Sequence, residues 1–171
     1  KLDDSSTRQT IAGYLQQLEE GATVPMEVLR DLDAVGDLCC DALLSAGTRE
    51  AGDLYARALR LLARHDPDFP SRRTWIMDLL AQLVSKEEEV GVAALSSAVM
   101  ELDRSSDFSR LAGEAHFIEL LTSGWPREGS KACELTWRYV VPLIVRNERP
   151  AVALTSVVAA TVQALDRSLS G

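Results

Sequence analysis

Three observations predict an all-α fold. Apolar residues recur at helical spacing along most of the chain, no stretch sustains period-two alternation, and glycine and proline stand mainly between the apolar runs. About eight antiparallel helices follow from this pattern, each with a physical start or stop.

The first opens after Ser5 or Ser6, carries Ile11, Leu15 and Leu18 on one face, and ends at Gly21. The second starts at Thr23 with Pro25 in its first turn, where a missing N–H costs nothing. Val28, Leu32, Val35, Cys39 and Ala42 then hold one face as far as Gly47, with Gly36 as a weak point. Thr48 caps a third, with Leu54, Tyr55, Ala58, Leu61 and Leu62 inward, and Pro67 and Pro70 forbid its continuation. Ser71 caps the fourth, for which Trp75, Ile76, Leu79, Leu80 and Leu83 form the expected core stripe. Ser85 and Glu88 have capping-box spacing, and Glu87 to Glu89 suit the positive end of a fifth helix bearing Val90, Ala94, Ala98, Val99 and Leu102. A sixth starts between Ser105 and Asp107, with Phe108, Leu111, Ala115, Ile118 and Leu121 inward and Gly124 as its stop. Ser130 opens a seventh through Ala132, Leu135, Val140, Val141 and Ile144, which Pro142 must kink or end early. Pro150 starts the eighth, whose expected buried stripe is Leu154, Val157, Val158, Thr161, Val162 and Leu165.

The 171 residues suit a single helical domain, 1–171, and 46% hydrophobic residues are enough for a sizeable core. The chain opens at Lys1 with neither a methionine nor a signal-type segment, as expected of a fragment of a longer protein. A net charge of −8, from 26 acidic and 18 basic residues, repels phosphate backbones and anionic lipid. General nucleic-acid binding is therefore not expected. No apolar run approaches the ~20 residues of a membrane span. Three cysteines, two of them the adjacent Cys39 and Cys40, are not a disulfide framework and suit an intracellular location, cytoplasmic or nuclear.

If the helices pair in order, pairs begin near residues 4, 48, 85 and 130, a step of about 37–45 residues. In this spacing, and in its proline- and glycine-marked turns, the chain resembles an armadillo/HEAT-type array. That resemblance implies a short solenoid-like stack of helical hairpins acting as a scaffold or adaptor. Ala51, Tyr55 and Ala58 are also placed as in the second helix of a tetratricopeptide repeat, though no second copy follows. Leu32, Gly36 and Asp37 resemble the core of a BH3 segment, and an eight-helix domain of this length resembles the Bcl-2 family in size. The alternative this implies is a Bcl-2-like bundle regulating apoptosis through a BH3-binding groove. Thr136, Trp137 and Arg138 faintly resemble that family's central hairpin motif, but its glycine is absent, the separation from Leu32–Asp37 is roughly twice what the family shows, and no terminal Gly-Gly-Trp follows.

No catalytic, cofactor-binding or metal-ligating set emerges. Adjacent cysteines on a helix point about 100° apart and do not clasp one metal. His65 and His116 lack a neighbouring nucleophile motif, and His116 with Glu119 supplies two ligands where a metal needs three or four. Asp33, Asp37 and Asp41 share one helical face without the histidines of a metal bundle. The expected function is non-catalytic protein binding, in which a peptide or helix of a partner protein lies along stacked hairpins, with a homo-oligomer as a further option. Arg72, Arg73, Trp75, Trp125, Arg138 and Tyr139 are the candidate partner-binding residues, because arginine and aromatic side chains dominate interface energetics.

Overall fold

The computed structural model describes residues 69–103, 107–123, 125 and 130–170, together with Gln9, Gly13, Asp53, Arg60 and Ala63. Among these residues every regular element is a helix and none is a strand. The expected first three helices, Cys39 and Cys40, His65, the Asp33–Asp41 face and the BH3-like Leu32–Asp37 stretch lie outside them.

Helix α1 spans Phe69–Ser85, with Pro70 in its first turn, where it surrenders no intrahelical hydrogen bond. Ile76, Met77, Leu79, Leu80, Ala81, Leu83 and Val84 are all buried, which is wider than the single stripe expected. The packing explains the width, since α1 meets elements on several sides. Trp75 does not belong to this core. It stands 38% exposed, and Met77, which a narrow stripe omits, is enclosed instead.

The chain reverses over Lys86 to Glu88 into α2, Glu89–Leu102. The Glu88 N–H donates to Leu83 O and the Glu87 N–H to Val84 O, both at 3.0 Å, which is the paired bonding of a Schellman C-cap. Its left-handed residue is Glu87, at φ 58°, where glycine is the usual occupant. The capping box is not formed. Ser85 is still helical and its hydroxyl donates to Gln82 O at 3.0 Å, while Glu88 at the N-cap makes no side-chain capping bond. Two helix signals overlap at Ser85, and the outgoing helix takes the residue.

The expected sixth helix is two: α3, Asp107–Ala112, and α4, Ala115–Ser123. Asp103 sets the start of α3. Its Oδ1 accepts from the backbone N–H of Phe108 at 3.1 Å and of Ser109 at 3.3 Å, and its Oδ2 lies 3.7 Å from Arg146 Nη1. The break falls at Gly113. Asn147 reaches in to donate from Nδ2 to Ser109 O at 2.9 Å, and a Cβ at position 113 would stand 2.3 Å from that nitrogen. Ala115, expected inward in an unbroken helix, is exposed as a result.

Residues 130–145 run as α5, Ser130–Leu135, a π-helical turn, Thr136–Val140, and α6, Val141–Val145. Pro142 has no N–H and its ring crowds the preceding turn. The chain answers by widening that turn rather than stopping, so the Val141 N–H reaches back five residues to Thr136 O. The wide turn carries Val140 to the inner side with Ala132, Leu135, Leu143 and Ile144. Trp137 and Arg138 are left outside, and Tyr139 sits at the edge.

Helix α7 spans Pro150–Ser170 and lies against α4, α5 and α6. Its buried side is Ala153 and Val157, with Leu154 packed beside them. Val158, Val162 and Leu165, expected inward, are instead 47%, 51% and 57% exposed. These three continue the apolar stripe round the helix from Leu154, so periodicity alone could not set the edge of the docking side. Helix α1 packs against α2, α3, α4 and α5, and one continuous core joins these elements to α6 and α7. No helix among the described residues is long and apolar enough to cross a membrane.

Two stability measurements follow. Glu87→Gly relieves the left-handed strain and raises unfolding stability by about 0.5–1 kcal/mol in urea titration. Asp103→Ala strips two buried N–H groups of their acceptor, removes the charge facing Arg146 and costs about 2–4 kcal/mol, whereas Asp103→Asn keeps the Oδ1 acceptor and costs about half as much.

Candidate functional site

Ala93, Ala94 and Ser97 place small side chains at successive turns of α2, facing the π turn. Bulk is missing there, and a cavity of about 390 Å³ results. Glu89, Val90, Arg138, Tyr139 and Asp53 complete its lining. Its size falls in the range of ordinary binding pockets, ~300–1,000 Å³.

One wall is organised by charge. Lys131 Nζ lies 2.9 Å from Glu89 Oε2 and 3.6 Å from Glu134 Oε1. Arg138 Nη1 stands 3.5 Å from Glu89 Oε1, and its guanidinium carbon lies 5.2 Å from the Tyr139 ring centroid. Glu89 is the first residue of α2, where the helix dipole already favours a carboxylate. The Lys131 hydrogen bond and its charge hold the Glu89 carboxyl below the usual carboxylate range, with Arg138 adding to the effect and burial opposing it. Reciprocally, the hydrogen bond to Glu89 raises the Lys131 ammonium above its ordinary value. Lys131 thus takes the shorter, hydrogen-bonded position on Glu89. Arg138, exposed and braced on an aromatic face, keeps donors directed to solvent at the cavity mouth.

Of the six residues singled out from sequence, Arg138 and Tyr139 meet at this cavity. The others do not line it. Arg73 is ion-paired to Asp107 and lies 6.0 Å from the Phe108 ring centroid, so it fastens α1 to α3. Arg72 is half-buried on α1, and Trp75 is exposed there. Trp125 folds back onto the core, and its ring Nε1 is buried with no hydrogen-bond partner. Glu89, Ala93 and Ser97 were not identifiable as a site from sequence. A long-range pairing of Glu89 with Lys131 leaves no local signature, and small residues on a helix read equally as close packing.

His116 is exposed and lies 3.8 Å from Asp78, neither of them on the cavity wall. Among the described residues no three ligand-type side chains gather to hold a metal ion. Comparison with known proteins finds no matching family, no matching curated protein and no matching solved structure.

The tie between α2 and α5 is predicted to be pH-dependent on both sides. Glu89, with its lowered pKa, contributes fully above the ordinary carboxylate value of 4.5 and loses its contribution as pH falls through the lowered one. Lys131 contributes fully below its ordinary 10.5 and loses this as pH rises through the raised value. The stability difference between wild type and Glu89→Gln, measured by urea titration, should be small at neutral pH. It should shrink further in acid and at ~1 M salt.

Proposed function

We propose that this chain is a non-catalytic protein-binding module, a scaffold or adaptor, in which the groove between α2 and the π turn receives a peptide or helix of a partner protein. The observation that carries this reading is Arg138 stacked on Tyr139 at the rim of a cavity floored by Ala93, Ala94 and Ser97. An arginine braced on an aromatic ring has little side-chain freedom left to lose and presents several donors, two properties of an interface anchor. The small residues beneath it make room for an apolar side chain of the partner, and a carboxylate on the partner would meet the outward donors of Arg138. Helix-in-groove recognition combines these two elements. The spacing of helix pairs along the chain supports a short solenoid-like stack of hairpins, and the odd cysteine count supports an intracellular location.

A Bcl-2-like bundle is the second reading, and one observation favours it. Val140, Leu143 and Ile144 are wholly buried, and the segment from Thr136 to Val145 is packed by α2, α3, α5 and α7. An apolar segment packed by several neighbours is what such a bundle requires at its centre, although here Trp137, Arg138, Pro142 and Val145 are exposed.

Selection of amphipathic helical peptides on the full chain tests the first reading. Arg138→Ala with Tyr139→Ala should weaken the selected peptides tenfold or more, roughly 1.4 kcal/mol, and Ser97→Trp should block them by filling the groove. Peptides indifferent to both changes would place recognition elsewhere on the molecule.

A further inference from the structure

The cavity between α2 and the π turn carries an unbalanced charge. Its lining holds two carboxylates, Asp53 and Glu89, against one guanidinium, that of Arg138. Glu89 is answered twice, by Lys131 at 2.9 Å and by Arg138 at 3.5 Å. Asp53 is different. It is exposed, and among the described residues its carboxylate makes no ion pair. Two contacts further along the chain keep it beside α2: Arg60 Nη1 lies 3.1 Å from Glu101 Oε2, and Ala63 packs against the core.

In the free chain water solvates the Asp53 carboxylate. An occupant that fills the cavity removes this water, and a covered carboxylate without a counter-charge is costly. A neutral or acidic group at that point is therefore penalised, and a cationic one is not. The floor suits the stem of such a group. Val90, Ala93 and Ala94 offer an apolar path, and lysine and arginine lay their methylenes along surfaces of this kind while the charged end keeps polar company. Beyond the cavity, the net charge of −8 draws basic partners and repels acidic ones.

Taking the groove as the docking site, we propose that its occupant is a helix of a partner protein that inserts a lysine or arginine side chain, with Asp53 receiving the cation. Asp53 is then the residue that sets the specificity of the groove. Arg138, at the mouth, receives a carboxylate of the same helix, so the two residues together ask for opposite charges on one partner.

The test uses amphipathic helical peptides selected on the full chain and measured by fluorescence anisotropy, with Ser97→Trp as the check that they bind in the groove. Those that Ser97→Trp blocks should share a lysine or arginine at one position. Replacing it with norleucine, which keeps the stem and removes the charge, should weaken binding about 10-fold. Asp53→Asn should weaken it as much, with melting unchanged, since Asp53 is exposed. Made together, the two changes should cost little more than either alone. Asp53→Lys should reverse the preference, so that glutamate at that peptide position binds better than lysine. Groove-binding peptides without a common base, or additive losses from the two changes, overturn the role of Asp53 and leave the groove standing. Peptides untouched by Ser97→Trp overturn the groove and this assignment with it.

Discussion

The absent N–H of Pro142 constrains the middle of this molecule. A helix interior that meets proline must kink, stop or redistribute its hydrogen bonds. Here it redistributes them, through one turn that closes five residues back rather than four. The extra residue in that turn decides which side chains face inward, so Val140 completes the core between Thr136 and Leu143. The same shift leaves Arg138 and Tyr139 together at the edge of α2. Core completion and groove formation are therefore two results of one backbone adjustment. A change that restored ordinary helical register at Thr136–Val140 would alter both.

Around that segment, polar groups fix where the helices begin and end. Asp103 joins the end of α2 to the start of α3 and lies near Arg146 after α6. Asn147 bonds to Ser109 across the space that Gly113 leaves open. Asp103 satisfies N–H groups in the first turn of α3, and Asn147, 38 residues on from Ser109, satisfies a carbonyl of the same helix, groups that a helix terminus would otherwise leave bare. The apolar core supplies the drive to collapse, and these few directional bonds select one arrangement of short helices from many of similar burial.

Much of the described fold was legible in the sequence. The starts of α5 and α7 fall at the Ser130 and Pro150 that mark them, and Phe108, Leu111, Ile118 and Leu121 are buried as their spacing implies. The departures have specific causes. Ser85-x-x-Glu88 carries the spacing of a cap, but Ser85 was already committed to the helix before it. Nothing local to Gly113 announces that Asn147, distant in sequence, will fill the space beside it. In α7 the apolar stripe is wider than the part that docks, so its spacing does not say where the docking side ends. Trp75 was placed inward by its position beside Ile76, one residue off the buried face. Of the site, Arg138 and Tyr139 were legible as residue types suited to an interface. The cavity beside them depends on small residues of another helix, which pattern reading treats as ordinary packing.

Thr161 has a consequence out of proportion to its size. Its hydroxyl donates to Val157 O at 2.8 Å and accepts from the indole Nε1 of Trp137, also at 2.8 Å. Apolar packing tolerates a helix that rolls a little about its own axis, because one methyl group substitutes for another. A hydrogen bond to a rigid indole does not. This latch gives α7 a fixed angular setting, and so determines how much of its broad apolar stripe is covered and how much is offered to the surroundings.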